Sequence, residues 1–341
     1  MADTAALHPR DTLFDGAAAA APIPVCDHYC GVEARMRKSL TLQAELGPVF
    51  DITLDLEDGA PVGGEAEHAQ LVAELALSPD NRFGRVGARV HPVDHPSFAD
   101  DVATLVGRAG ERLAYLMVPK PHGLADIERA CAEIDHQSRV RGLNRAIPVH
   151  ALIETLGALR EVEAIAAHPR IESLSFGLMD FVSAHRGAIP ASAMGAQGQF
   201  THPLVLRAKL EISAACHGSA KTPSHCVVTE FSDAGAIRAA ALRASREFGY
   251  LRMWSIHPQQ IAPIVEAFAP SAAEIEQAAE IIVAAQQAQW APIHHRADGR
   301  DMLHDRASYR YFWQVLERAQ RTGQPLPVPV IERFFTPAPD A

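Results

Sequence analysis

The chain has 341 residues, 48% hydrophobic and 21% charged, a balance that suits one large globular domain with an appendage and argues against wholesale disorder. Its formal net charge of −10 speaks against a nucleic-acid-binding role, which needs a basic face. No apolar run approaches the ~18 residues of a membrane helix. The alanine run 17–21 follows acidic residues rather than the basic start of a signal peptide, so no membrane association is expected. Cys26, Cys30, Cys131, Cys216 and Cys226 form no CxxC pair, which fits reduced thiols in the cytoplasm.

In chain order, residues 1–22 read as a flexible lead-in of Ala, Pro and Asp. From residue 23 to about 270, short β-type runs alternate with longer helical stretches. The expected strands are Ile23–Cys26, Ile52–Leu56, Val86–Val90, Tyr115–Val118, Pro148–Ile153, Ser173–Gly177, Cys226–Thr229 and Tyr250–Ile256. The expected helices are Val32–Leu46, Glu65–Leu77, Leu124–His136, Leu156–Ala167, Leu204–His217 and Asp233–Phe248. Eight strands with intervening helices predict an α/β fold, a (β/α)8 TIM barrel. An open dinucleotide-binding sheet would need a GxGxxG turn, and the first run leads into Asp27-His28-Tyr29-Cys30-Gly31. The glycine-containing stretch 183–199 is long for a turn between a strand and a helix, and suits either a lid or a variable surface loop. Beyond Pro270 the alternation ends. Ser271 and Glu274 form a capping-box pattern before Ala272–Gln289, and a second helix is expected from about Arg306 to Arg321. Residues 271–341 thus form a helical extension that packs on the barrel or on a neighbouring subunit.

Active sites of such barrels lie at the C-terminal ends of the strands. The residues leaving the runs are charged: Asp55, Glu57 and Asp58 after the second, Arg89 on the third, Lys120 after the fourth, Glu154 after the fifth, Asp180 after the sixth, Glu230 after the seventh and His257 after the eighth. Converging carboxylates without a Cys or His cluster point to a hard cation, Mg2+ with Mn2+ as the alternative. Glu154 and Asp180 suit its ligation. Arg89 offers a planar fork to a substrate carboxylate. Lys120 is a Schiff-base candidate, but among so many acids it reads better as their balancing cation. Glu57 is a substrate contact or a support for one. Glu230 lines the pocket or simply starts a helix, and His257 is a substrate-side or structural histidine. No GxSxG elbow, Walker loop or HExxH motif is present.

Asp55-Leu56-Glu57-Asp58-Gly59, Arg89-Val90-His91-Pro92, Pro119-Lys120, Ala151-Leu152-Ile153-Glu154-Thr155, Phe176-Gly177-Leu178-Met179-Asp180 and Ile256-His257-Pro258-Gln259-Gln260 follow one another in an order that resembles the citrate lyase β-subunit-like branch of the HpcH/HpaI aldolase superfamily. That branch includes the malyl-CoA and citramalyl-CoA lyases. Phe268-Ala269-Pro270-Ser271 resembles its junction into C-terminal helices. The resemblance implies a carbon–carbon lyase with Mg2+ on Glu154 and Asp180, Asp58 holding metal-bound water, and Arg89 binding a 2-oxo acid. It implies a homo-oligomer, trimeric or hexameric, that cleaves a 3-hydroxyacyl-CoA to an acyl-CoA and an oxo acid or runs in reverse. Two alternatives remain: an aldolase on a CoA-free hydroxy acid, and a subunit that needs an acyl-carrier partner. Three departures bear on the choice. The family's opening arginine and Leu-Phe-Val-Pro-Gly-like strand correspond to Ile23–Gly31, and a lysine common in relatives is Met253. The C-terminal Asp-Gly-Lys-Met-Val-Asp segment appears as Asp298-Gly299-Arg300-Asp301-Met302-Leu303-His304-Asp305, with Asp305 as the candidate acid–base group reaching a neighbouring subunit.

Overall fold

The computed structural model describes residues 8–14, 22–297 and 299–335. It divides into two compact units, one of residues 23–268 and one combining 1–22 with 269–341.

The larger unit is a closed barrel of eight parallel strands in sequential order, the (β/α)8 TIM barrel. Its strands are β1 Cys26–Cys30, β2 Phe50–Asp55, β3 Val86–Arg89, β4 Leu113–Val118, β5 Val149–Ile153, β6 Ile171–Phe176, β7 Thr222–His225 and β8 Arg252–Ser255. Side chains alternate across each strand. One set faces the helices and joins a large apolar shell, exemplified by Cys26, Phe50, Ile52, Leu54, Val86, Ala88, Leu116, Val149, Ala151, Leu174 and Met253. The other set faces the barrel axis. Near the N-terminal ends it is polar, with Asp27, Asp51, Thr53, Tyr115, His150 and Arg252 fully buried. Above this lies an apolar layer of Tyr29, Met117, Leu152 and Trp254.

That polar layer explains two displaced strands. The seventh was expected at Cys226–Thr229 and runs instead over Thr222–His225, and the first was expected at Ile23–Cys26 and runs over Cys26–Cys30. Both carry polar residues that the barrel buries, whereas the sequence pattern rewards apolar runs. The helix Phe98–Ala109 was not among the expected elements. Its Phe98, Val102, Leu105, Val106 and Ala109 are buried at helical spacing, so the signal is present. The single helix expected over Leu156–Ala167 is two, Leu156–Arg160 and Val162–Ala167. Glu161, at the break, turns its carboxylate to accept the Leu124 amide at 2.7 Å, capping the helix Leu124–Arg141. The stretch 183–199 starts at the end of the helix Leu178–Ser183 and winds into the 3-10 turns Ala191–Met194 and Gly198–Phe200, with Ala193, Gln199 and Phe200 buried.

The smaller unit has its own core. Leu13 of the helix Pro9–Leu13 packs with Ile275, Ile282, Trp313 and Leu316. Part of the segment expected as a flexible lead-in is therefore a helix seated in this core. The capping box on Ser271 and Glu274 is present and opens the helix Ala272–Gln287, and the helix Arg306–Arg321 stands where expected. Between them lies an antiparallel hairpin, Ile293–Ala297 and Arg300–His304, that the pattern did not suggest. Among the described residues no helix is long and apolar enough to cross a membrane.

Candidate active site

The C-terminal rim gathers most of the charges singled out in the sequence. Arg89 ends β3, where its side chain turns inward and is almost fully buried. Asp55, the last residue of β2, grips it with two parallel hydrogen bonds, from Nε at 2.6 Å and Nη2 at 2.5 Å. Such a fork fixes the guanidinium in orientation as well as position. Burial alone would lower the Arg89 pKa, but the Asp55 carboxylate outweighs it and keeps the guanidinium charged. The remaining Nη1 meets Glu57 Oε2 at 3.1 Å, and the plane lies 5.2 Å from the Tyr29 ring. Asp55 also accepts the amides of Glu57 at 3.0 Å and Gly59 at 2.8 Å, so one carboxylate shapes the acidic turn and aims the arginine. The exit of β3 is held independently, by Asp101 of the helix Phe98–Ala109 accepting the His91 amide at 3.0 Å and its imidazole at 2.7 Å.

Lys120, just beyond β4, has φ 49, a left-handed conformation uncommon for a residue with a side chain. Its amide donates to Glu154 Oε1 at 2.8 Å. Its ammonium contacts Glu57, reaches Asp58 at 2.8 Å and lies 3.8 Å from Asp180. Burial would raise the Asp58 carboxyl, but the hydrogen bond and charge of Lys120 hold it below its ordinary value. Lys120 is itself pushed up, its acidic partners outweighing the cost of burial.

Glu154 follows β5 and is 2% exposed. Its carboxyl is pushed well up, first by burial and then by the charge of Asp180. Room for it depends on Gly177: a Cβ there would stand 2.5 Å from Glu154 Cβ and collide with its carboxylate. Asp180 sits in the first turn of the helix after β6 rather than on the strand. Both acids, with Lys120, line a cavity of about 560 Å3 whose walls include Pro92, Val93, Thr155 and Leu156.

The other candidates have different partners. Glu230 accepts the Ala196 amide at 2.9 Å, joining the loop after β7 to the one after β6. His257 caps a 3-10 turn by accepting the Gln259 amide and stacks on Phe231 at 4.7 Å. Asp305, in the smaller unit, is the N-cap of the helix Arg306–Arg321, accepting the Ala307 amide at 3.0 Å. Met253 is fully buried in the shell between strands and helices. Its difference from the lysine of relatives therefore removes no charge from the barrel interior. Asp55 was placed among the rim charges in the sequence but given no role, and Tyr29 was not picked out. Asp55 had a signal, since it opens the acidic motif at a strand end, whereas Tyr29 lay in a strand whose register was misplaced.

The rim of the (β/α)8 barrel places a buried glutamate and an aspartate on one cavity near a clamped arginine, and the relatives named as lyases make the chain a carbon–carbon lyase. The model of the HpcH/HpaI aldolase/citrate lyase family matches residues 46–258, and the chain belongs to that family. The L-malyl-CoA/beta-methylmalyl-CoA lyase of Rhodobacter capsulatus is 30% identical over 248 residues, covering 70% of this chain and 77% of that protein. A citrate lyase crystal structure from Burkholderia xenovorans LB400 is 54% identical, with a TM-score of 0.82 over 97% of this chain and 100% of that one. CitE from Mycobacterium tuberculosis, crystallised with magnesium, acetoacetate and coenzyme A, shares the fold at a TM-score of 0.65 and 19% identity, over 87% of this chain and 98% of that one.

Proposed function

We propose that this enzyme cleaves a 3-hydroxyacyl-CoA of the malyl or citramalyl type into an acyl-CoA and a 2-oxo acid, or joins the two in reverse, using a divalent metal ion held by Glu154 and Asp180. The observation that carries the metal assignment is that the buried Glu154 carboxyl and the half-exposed Asp180 line one cavity at the rim. Two carboxylates in this situation are accommodated by a hard cation between them, and one or two carboxylates is the usual protein share of a Mg2+ shell. The names of the malyl-CoA lyase relatives support the thioester substrate, as does the coenzyme A in the Mycobacterium tuberculosis fold neighbour.

In the cleavage direction the substrate hydroxyl loses its proton, its carbon becomes a carbonyl, and the adjacent C–C bond breaks. The electron pair passes to the thioester as an enolate, which takes up a proton at carbon. Bound Mg2+, with Mn2+ as the alternative, supplies Lewis-acid stabilisation of negative charge on oxygen. Arg89, fixed on one edge by Asp55, holds the carboxylate of the oxo-acid half with its Nη1 side. Asp58 would hold water beside the metal, Glu57 supports Arg89 and Lys120, and Glu230 and His257 would border the site. The proton shuttle is assigned to Asp305 of a second copy in a trimer or hexamer. A cytoplasmic location accords with five free, buried cysteines.

Met253 is buried outside the barrel interior, which weakens one of the two departures that favoured a CoA-free substrate. The test is to incubate the purified protein with Mg2+ and a panel of 3-hydroxyacyl-CoAs and free hydroxy acids, measuring released 2-oxo acid. Release from thioesters alone is expected. Cleavage of free acids only, or activity only after adding an acyl-carrier protein, overturns the substrate assignment. No cleavage and no oxo-acid binding overturns the whole reading.

A further inference from the structure

Lys120 occupies a position that the reaction above does not explain. Its left-handed backbone, φ 49, turns the amide onto Glu154. Strained backbone of this kind persists where the surroundings enforce it, commonly at functional sites. The side chain then reaches Glu57, Asp58 and Asp180. One residue thus touches both carboxylates assigned to the metal and both acids of the neighbouring turn. Arg89, the other cation of the cluster, is committed to Asp55 by two hydrogen bonds and stays put. Lys120 has a flexible stem and is 27% exposed, and it lines the cavity beside the two ligating acids. An ammonium 3.8 Å from Asp180 both neutralises that carboxylate and repels a divalent ion approaching it.

We infer that the Lys120 ammonium competes with the divalent metal ion for the carboxylate cluster and so sets the metal affinity of the site. This rests on the metal assignment made above. Metal entry draws the carboxylates from the ammonium, which turns into the cavity. A 2-oxo acid arriving there supplies a new carboxylate partner for the freed charge. Metal and oxo acid therefore bind cooperatively, and each tightens the other by the same factor.

The experiment is calorimetric titration of the full chain with Mg2+, for wild type, Lys120→Met and Lys120→Arg, with and without pyruvate as the oxo-acid probe. Lys120→Met is expected to bind Mg2+ about tenfold more tightly, roughly 1.4 kcal/mol, while Lys120→Arg stays near wild type. Pyruvate is expected to tighten Mg2+ binding in wild type, and by less in Lys120→Met. Circular dichroism checks folding; should Lys120→Met unfold, Lys120→Gln carries the same expectation. Equal or weaker Mg2+ binding by the folded neutral variants overturns the inference while leaving the metal site standing. Absence of Mg2+ binding in wild type and all variants overturns the metal assignment and this inference together.

Discussion

The two ends of the barrel interior use the same chemistry to opposite ends. Near the N-terminal ends of the strands, Arg252 is fully buried between Asp27, which it meets at 3.0 Å, and Asp51. Thr53 and Tyr115 donate to Asp27 at 2.7 and 3.1 Å. With Arg85 on Asp51 at 2.6 Å, two carboxylates there face two guanidiniums, and the layer of Tyr29, Met117, Leu152 and Trp254 lies between them and the rim. At the C-terminal rim the acids outnumber the cations, and a cavity opens onto them. A closed ion cluster holds a shape, whereas one with surplus charge and an opening invites a ligand. Buried ion pairs contribute little net stability against an apolar replacement, yet removing one partner is costly.

That contrast can be broken by substitution at each end. The largest effect is expected at the rim, where Glu154→Gln reduces turnover at least ~10⁴-fold, about 5.5 kcal/mol in barrier. Its melting temperature should equal or exceed that of wild type, because the variant removes a carboxyl disfavoured by burial. Full activity in this variant would move the metal elsewhere. At the other end, Arg252→Met leaves Asp27 buried without its cation, while Asp51 keeps Arg85 at 2.6 Å, and should cost about 3–5 kcal/mol in denaturant unfolding, with kcat of the folded fraction nearly preserved. An unchanged stability would mean that water or rearrangement already serves Asp27.

Arg89→Lys, which keeps the charge and loses the fork, should raise KM roughly tenfold to a hundredfold, the scale of about 1.4–3 kcal/mol for charge-assisted bonding. Asp55 would then hold a point charge in place of an oriented plane. A pH titration of stability sharpens the picture from outside the barrel interior. His28, on the helix-facing side of β1 with its ring 6.2 Å from that of Phe50, has its pKa lowered to about 4, chiefly by burial. Because the folded state resists protonation, this stability is present above pH ~6.5 and is lost as pH falls from there toward 4, up to roughly 3 kcal/mol. A His28→Gln variant should flatten that segment of the curve; an unaltered slope would assign the acid sensitivity to other groups. The smallest effect is expected from Ser271→Ala, about 1 kcal/mol from loss of the capping box on the helix Ala272–Gln287.

The barrel was legible because its helix-facing side chains are apolar and recur at the right intervals, and its rim because charged residues follow each run. Legibility failed where polar residues are buried. Asp27 and His28 in β1, and Thr222 and Ser224 in β7, lie in strands that no apolar pattern announces. Asp55 was visible as one acid of a motif, but its grip on Arg89 is a contact between neighbouring strands that spacing along the chain does not encode. Asp180 was placed at a strand end and lies on the following helix, one turn of backbone that brings it to the same cavity as Glu154.

Gly177 carries a consequence for how this enzyme can vary. The space that Glu154 fills exists because residue 177 ends in a hydrogen where any other amino acid carries carbon. Walls of the cavity such as Val93 or Leu156 can be exchanged one at a time, enlarging or narrowing the acceptable substrate. The floor beneath the glutamate admits no such drift, so new specificities in this lineage should arise around a single unchanging point.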